Sequence, residues 1–264
     1  MDSLEKPVNG SSLMSLRGLG IGFGKRKLLC DVDTSFGASS LTALLGRNGS
    51  GKSTLLRAMA GLGRYDGSIS VAGHDIAMLS AARRARLMAF VSTERTRIGA
   101  MSCFDIVAMG RAPHTNWIGR LCDADIAAVE SALEAVGMSS FAGRRVASMS
   151  DGECQRVMIA RALAQDTPLI LMDEPTSFLD LPNRYELCTL LRRLAHEQRK
   201  CILFSTHELD IALSLCDAIA LIDTPRLHLL PTAEMVRSGH LERLFAGEQV
   251  AFDPAAGCVR AIKK

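Results

Sequence analysis

The sequence predicts an α/β fold in which a mostly parallel sheet carries helices on both faces. Two observations point to it. Apolar strand-like runs alternate with helix-like segments over residues 169–222, an order typical of parallel sheets. A glycine-rich loop also joins a short apolar strand, residues 41–45, to a helix that begins at Lys52. Ligands of α/β sheets bind where strands give way to helices in this manner.

The composition is that of one large globular domain with a small appendage. The chain has 264 residues, of which 48% are hydrophobic, and this fraction excludes general disorder. No apolar run approaches the roughly 18 residues that span a bilayer. The polar start of the chain lacks the basic-then-apolar order of a secretory signal. We therefore expect a cytoplasmic protein.

Charge and cysteine content exclude two further classes. The net charge of +3 is too close to balance to favour nucleic acid as the main partner. The eight cysteines are scattered and form no Cys-x-x-Cys pair, so reduced thiols are expected rather than a disulfide framework or a zinc site.

The pattern of apolar residues predicts the order of the elements. After a loose tail, residues 1–12, strands are expected at 41–45, 68–71, 169–172, 201–204 and 218–222. Helices are expected at 52–60, 123–136, 151–164, 187–196 and 209–216. In the helix 123–136, Asp123 is the expected N-cap, Gly137 the expected C-cap, and Ile126, Val129, Leu133 and Val136 the expected buried face.

The glycine-rich loop fits the phosphate-binding pattern G-x-x-x-x-G-K-[ST] in full. It consists of Gly46, Arg47, Asn48, Gly49, Ser50, Gly51, Lys52 and Ser53, followed by Thr54. Its glycines let consecutive N–H groups point at phosphate oxygens, and the following helix adds its positive N-terminal end. Lys52 is expected to reach the β- and γ-phosphates, and the Ser53 hydroxyl to ligate Mg²⁺. The alternative is a glycine-rich turn with a chance lysine, which the strand and helix on either side disfavour.

A pair of acids follows the apolar run at residues 169–172. A buried strand would deliver Asp173 and Glu174 at its carboxyl end. Asp173 is then the candidate Mg²⁺ ligand and Glu174 the candidate base for an attacking water. Taken alone, an ordinary strand ending in exposed acids is the simpler interpretation, but the phosphate loop favours the functional one.

His207 follows the next apolar strand, residues 201–204. An imidazole in this place could reach a γ-phosphate. A lone histidine at a strand end is more often structural, so this expectation depends on the neighbouring features.

Together these residues resemble the nucleotide-binding subunit of ABC transporters, over about residues 13–230. Ser150, Gly152 and Glu153 lie where that family carries its L-S-G-G-Q signature, Asp180 matches its D-loop and His207 its switch histidine. Phe23 matches the aromatic residue that stacks on adenine. The resemblance implies that ATP and Mg²⁺ are bound, and that Ser150 and Gly152 contact the γ-phosphate.

The resemblance also implies an architecture. The expected fold is a P-loop NTPase core of the RecA type, with a mixed sheet, an antiparallel β subdomain and an inserted α-helical subdomain at about residues 95–165. Residues 231–264 are expected to form a small C-terminal appendage.

Two motifs depart from the family pattern, the signature and the Q-loop. In the signature, Asp151 and Glu153 replace a glycine and the glutamine, which adds negative charge near the expected triphosphate. Thr93 falls where the family has the Q-loop glutamine, and its hydroxyl is a candidate Mg²⁺ ligand.

Residues 110–114, Gly-Arg-Ala-Pro-His, resemble a segment of the importers of iron-siderophore complexes, haem and cobalamin. This implies a two-copy polytopic permease and a second copy of the chain as partners, and indirectly an extracytoplasmic solute-binding protein, with no nucleic acid. The chain would then lie at the cytoplasmic face of the inner membrane. The permease contact is expected within residues 92–119, with Arg95, Arg97, Arg111 and Trp117 among its residues.

Two other functions remain open from the sequence. One is a soluble ABC ATPase that acts on nucleic acid or ribosomes, although the stretch between Lys52 and Ser150 has no sustained heptads. The other is a regulatory subunit that binds nucleotide and hydrolyses it poorly, which the altered signature favours and Glu174 opposes.

Overall fold

Strands and helices follow one another in an α/β order. The structure, a computed structural model, describes residues 12–24, 26–92, 100–115, 119–246, 250–254 and 256–261. The strands are β1 Ser12–Phe23, β2 Arg26–Gly37, β3 Ser40–Gly46, β4 Asp66–Val71, β5 His74–Asp75, β6 Met88–Val91, β7 Leu169–Met172, β8 Cys201–Ser205, β9 Ala218–Asp223, β10 Arg226–Pro231, β11 Val250–Asp253 and β12 Cys258–Ala261. The helices are α1 Lys52–Met59, α2 Ala81–Leu87, α3 Cys103–Ala108, α4 Asp123–Ala135, α5 Asp151–Ala164, α6 Leu181–Glu197, α7 Leu209–Leu215, α8 Thr232–Arg237 and α9 His240–Phe245.

Two larger sheets organise these elements. The central sheet has six strands in the order β10-β9-β3-β8-β7-β6, parallel except for the antiparallel β9–β10 pair. A second, antiparallel sheet has the order β2-β1-β4-β5. The strands β11 and β12 form a separate antiparallel pair. The expected α/β fold with a mixed central sheet and an antiparallel sheet is confirmed.

The central sheet has an apolar core on each face. In β3, Leu41, Ala43 and Leu45 face the core that the helices α3 to α6 share, whereas Leu44 faces α1 and the antiparallel sheet. The alternation follows from the two-residue period of a strand. Strands covered on both faces read as continuous apolar runs, which explains why residues 41–45 and 169–172 are clearly predicted as strands.

Helices α3, α4 and α5 lie between β6 and β7 in the chain. In α4, Val129, Leu133 and the following Val136 are buried as expected, but Ile126 is 37% exposed. Asp125 is buried in its place and accepts a hydrogen bond from Arg111 at 2.9 Å. The expected buried face was therefore wrong at Ile126, because an arginine from outside the helix draws Asp125 inward.

One expected N-cap and one expected helix start were also wrong, although α4 begins at Asp123 as predicted. The N-cap of α4 is Cys122 rather than Asp123, and the Asp125 carboxylate accepts the Cys122 N–H at 3.1 Å. Helix α6 begins at Leu181, six residues before the expected start at 187. Asp180 caps it by accepting the Asn183 N–H at 3.1 Å, and Pro182 fits the first turn because no N–H is needed there.

The C-terminal part is packed into the domain. Strand β10 continues to Pro231, across the expected boundary at 230, and β1 begins at Ser12, the last residue of the expected tail. Met235 of α8 and Leu241 of α9 are fully buried in the core beneath the central sheet. Among the described residues, no helix is both long and apolar enough to cross a bilayer.

Candidate functional site

The glycine-rich loop lies between β3 and α1, at the carboxyl end of a central strand. Gly51 precedes the helix with a left-handed backbone, φ 103°. A Cβ atom on Gly51 would lie 2.9 Å from Cδ1 of Leu28, which is closer than ordinary contact. Only glycine fits this conformation without strain. The local sequence thus forces the chain to turn sharply and to present the N-terminal end of α1.

A cavity of about 450 Å³ opens above this loop. Its lining consists of Phe23, Arg26, Leu28, Asn48, Gly49, Gly51, Lys52, Ser53, Thr54 and Glu174. Lys52 is only 7% exposed, and its Nζ donates to the Gly46 carbonyl at 3.0 Å. A buried ammonium group and the N-terminal end of a helix meet in this cavity, so it is suited to an anion such as a phosphate.

Two acids follow β7 directly, and one of them, Glu174, lines this cavity. Asp173 is 5% exposed and accepts a hydrogen bond from Ser205 Oγ at 2.6 Å. The same hydroxyl accepts the Glu174 N–H at 2.8 Å. Glu174 has a left-handed backbone, φ 43°, and Ser177 Oγ donates to its Oε2 at 3.2 Å. The turn after β7 therefore fixes the Glu174 carboxylate beside Lys52 and Ser53.

The signature segment begins helix α5. Ser150 is the N-cap, and its Oγ accepts the Glu153 N–H at 3.3 Å, while the Glu153 carboxylate accepts the Ser150 N–H at 2.7 Å. The hydrogen bonds from Ser150 lower the pKa of Glu153. Arg144 lies 3.4 Å from the Glu153 carboxylate. The acid that replaces the family's glutamine thus completes the capping box of α5 in its own chain.

The signature also contacts the D-loop of the same chain. A Cβ atom on Gly152 would lie 3.2 Å from Cδ2 of Leu179 and 3.4 Å from the carbonyl oxygen of Phe178. A larger residue at 152 would push the D-loop away from α5. Asp180, directly after Leu179, caps α6 as described above.

Glu208, the residue after His207, anchors the loop that contains His207. Glu208 is buried and pairs with Arg184 at 2.9 Å. Burial raises the pKa of Glu208, and the positive charge of Arg184 opposes that rise. Arg184 also donates to the Leu179 carbonyl at 2.6 Å. One arginine thus joins the His207 loop to the D-loop.

The structure brings some of the candidate residues together and leaves others apart. Phe23, Asn48, Lys52, Ser53 and Glu174 line the one cavity. The lining, as far as the structure describes the chain, lacks the other candidates, which are Gly46, Arg47 and Ser50 of the loop, Asp173, the signature residues Ser150, Gly152 and Glu153, the D-loop Asp180, and His207. Thr93 lies outside the described residues, as do Arg95, Arg97 and Trp117 of the expected permease contact.

Sequence reasoning missed Ser205 and Arg26. Ser205 is fully buried at the end of β8 and touches both acids. A polar residue that ends an apolar strand was the available signal. Arg26 lines the cavity next to Phe23, and the β1–β2 pairing that places it there is not visible in a local pattern.

A larger cleft lies on the antiparallel sheet. It has a volume of about 1000 Å³ and side chains of both charges, such as Arg64, Arg84, Asp31 and Asp66. Neither Lys52 nor Glu174 is among its lining residues. Size alone would have pointed to the wrong place, whereas a buried lysine at a helix N-terminus points to the smaller cavity.

Comparison with known proteins decides the family. The sequence model described as ABC transporter matches residues 29–177, which include the phosphate loop, the signature and both acids. This chain belongs to the ABC transporter family. The expectation of an ATP-binding subunit of this family is confirmed, because curated relatives that align with most of the chain are named as ATP-binding proteins of import systems.

Two relatives and one solved structure illustrate the similarity to other ABC proteins. The iron(3+)-hydroxamate import ATP-binding protein of Bacillus subtilis is 39% identical over 200 residues, which cover 75% of this chain and 74% of the relative. The cobalamin import ATP-binding protein of Halobacterium salinarum is 36% identical over 253 residues, 93% of this chain. The chain spans only 62% of the length of that relative. A metal-chelate type ABC transporter in an inward-facing conformation has a TM-score of 0.78 at 30% identity, with 89% of each chain covered.

Proposed function

We propose that this chain hydrolyses ATP to drive a membrane permease that imports a metal chelate. The observation that carries the hydrolytic part is the single cavity that Lys52, Ser53 and Glu174 share. A cation for phosphate, a hydroxyl for Mg²⁺ and a carboxylate for an attacking water are the groups that phosphoanhydride hydrolysis needs.

The phosphate loop, residues 46–54, binds the triphosphate. Its backbone N–H groups and the N-terminal end of α1 face the phosphate oxygens, and Lys52 supplies the positive charge. Phe23 is 80% exposed at the rim of the cavity. Such an exposed ring beside a phosphate site is suited to stack on the adenine base.

Two oxygen-bearing side chains of the proposed site fit Mg²⁺. Ser53 presents an exposed hydroxyl and Asp173 a buried carboxylate, and Mg²⁺ prefers such hard oxygen ligands. Thr93 is proposed as a further oxygen ligand. When bound, the ion offsets the charge that develops on the phosphates.

Glu174 takes the proton of the attacking water. Its carboxylate is oriented by the hydrogen bond from Ser177 and by the backbone bond to Ser205, so little reorganisation is needed when the proton moves. His207 is exposed and reaches the γ-phosphate when two copies close around the nucleotide.

Two copies complete each site. Ser150, Gly152, Glu153 and Asp180 do not line the cavity of their own chain, as far as it is described. We infer that a second copy, related by a two-fold axis, presents these residues to the γ-phosphate. ATP then holds the two copies together, and hydrolysis releases them.

The transport part draws on the relatives. One relative is named for cobalamin and another for iron(3+)-hydroxamate, so the common solute class is a metal chelate. We propose a two-copy polytopic permease as the direct partner, an extracytoplasmic solute-binding protein as the indirect one, and the cytoplasmic face of the inner membrane as the location. Residues 92–119 remain the proposed permease contact.

One experiment tests the hydrolysis and the solute class separately. The chain is purified with the permease encoded beside it, reconstituted in vesicles with the solute-binding protein, and assayed for ATP hydrolysis with cobalamin, ferric hydroxamates and haem. We expect basal hydrolysis that one chelate stimulates. Hydrolysis without stimulation by any chelate would contradict the solute class, and no hydrolysis at all would contradict the enzymatic proposal.

A further inference from the structure

We propose that helix α9 clamps the phosphate loop through Arg47, and that this contact holds the loop in the shape that receives nucleotide. The inference rests on the proposed ATP-binding function for its consequence, but not for the contact itself. Arg47 is then a positioning residue for the loop, rather than a group that touches the nucleotide.

The contact joins residues far apart in the sequence. The Arg47 guanidinium donates twice to the carbonyl oxygen of Leu244, from Nε at 3.2 Å and from Nη2 at 2.9 Å. Two donors on one acceptor fix the direction of the guanidinium. The Arg47 side chain is absent from the described lining of the nucleotide cavity, and its guanidinium is engaged by α9 instead.

The Leu244 carbonyl is a natural acceptor for this arginine. The last four carbonyls of a helix have no partner within the helix, and Leu244 is the penultimate residue of α9. Cationic side chains at this end of a helix are favourable. The arginine therefore satisfies a carbonyl that α9 itself leaves open.

Helix α9 is itself fixed to the central sheet. Leu241 is fully buried, and the His240 ring stacks on the ring of His228 in β10, with the ring centroids 3.8 Å apart. Strand β10 pairs with β9, and β9 pairs with β3 up to Gly46. The clamp thus ties the second residue of the loop to the same sheet from which the loop emerges.

A restrained loop binds its ligand at lower cost. A glycine-rich loop has many accessible conformations, and ordering them on binding reduces affinity. If the clamp removes part of this cost in advance, its loss should weaken ATP binding more than it slows the chemical step.

The test compares Arg47→Met with the matched control Arg237→Met, which removes an exposed arginine on the neighbouring helix α8. The first measurement is hydrogen exchange of the amides of residues 240–246 without nucleotide. The second is KM and kcat for ATP hydrolysis by the full chain. For Arg47→Met we expect faster exchange in 240–246 and a KM raised about two- to tenfold, the equivalent of a net hydrogen bond, with a smaller fall in kcat. The control should match the wild type in both.

Two further variants sharpen the result. Arg47→Lys keeps one donor for the Leu244 carbonyl and should restore part of both effects. His240→Ala removes the stack that fixes α9. In the double variant, its effect on KM should therefore not add to that of Arg47→Met.

Each other outcome would overturn the proposal in a different way. Unchanged exchange in Arg47→Met would mean that there is no clamp in solution. Faster exchange with an unchanged KM would mean that the contact only stabilises the fold. A raised KM with unchanged exchange would mean that Arg47 contacts the nucleotide directly. If the wild type itself bound no ATP, the proposed function would fail, while the exchange result would still decide whether the clamp exists.

Discussion

The hydroxyl of Ser205 donates to the carboxylate of Asp173 at 2.6 Å, across the boundary between strands β8 and β7. The same oxygen accepts the N–H of Glu174. One buried hydroxyl thus orients the proposed Mg²⁺ ligand and the backbone of the proposed base. The placement of the two acids relative to each other therefore depends on a residue from the neighbouring strand.

Replacing Ser205 by alanine should destabilise the protein and lower ATP turnover. The change leaves the Asp173 carboxylate and the Glu174 N–H without this partner, and a lost hydrogen bond to a charged group costs about 1.5–3 kcal/mol. Denaturant titration measures the loss in the free energy of unfolding. Ser214→Ala, which removes an exposed hydroxyl from α7, is the control and should change it by less than about 0.5 kcal/mol. Equal stabilities of the two variants would contradict the role given to Ser205.

Replacing Lys52 by alanine should weaken nucleotide binding itself. The lysine is the buried cation of the cavity and contacts the phosphates before any bond breaks. Equilibrium titration with a fluorescent ATP analogue measures the dissociation constant. An affinity equal to that of the wild type would contradict the phosphate-loop interpretation.

Replacing Ser150 by arginine should block dimerisation on ATP and leave ATP binding by the monomer intact. The serine begins α5 outside its own cavity, so a large cation there obstructs only a partner copy. Size-exclusion chromatography with ATP, in a Glu174→Gln background, measures the dimer. A Ser150→Arg variant that still dimerises would argue against the shared site.

The Arg111–Asp125 pair should give the protein a stability that depends on acid pH. Hydrogen bonds from Cys122, and then from Arg111, lower the pKa of Asp125 to about 2. A depressed carboxyl pKa stabilises the fold above the unfolded-state value near pH 4 and loses this contribution as the pH falls towards 2. Urea titrations between pH 5 and pH 2 should therefore show a shallower loss of stability in Asp125→Asn. Parallel pH profiles for the variant and the wild type would contradict the assignment.

Most of the fold and the phosphate loop of the site could be predicted from short stretches of sequence. Gly46 to Ser53 are consecutive, so their motif is recognisable without knowledge of the fold. The strand 169–172 is apolar on both faces, so its run of apolar residues was sufficient to predict it. Helix α6 starts earlier than expected because Asp180 caps it and Pro182 fits its first turn. The prediction was based on the apolar run that begins at Leu187 and therefore missed this first part of the helix.

Long-range contacts account for what the sequence could not give. Asp125 displaces Ile126 from the buried face of α4 because it meets Arg111, and no period within the helix encodes that pair. Arg47 reaches Leu244, 197 positions along the chain. Side chains of this kind are positioned by the assembled sheet, not by their neighbours in sequence.

The most direct test of the account is ATP turnover by Glu174→Gln. Glutamine keeps the shape of the side chain at the cavity but cannot accept the proton of water. With Mg²⁺ and ATP, hydrolysis should fall by about 10²- to 10⁴-fold while ATP affinity is retained, and the control Glu197→Gln, at the exposed end of α6, should behave as the wild type. Turnover by Glu174→Gln within a few-fold of the wild type would contradict the central claim that Glu174 is the base of an ATPase.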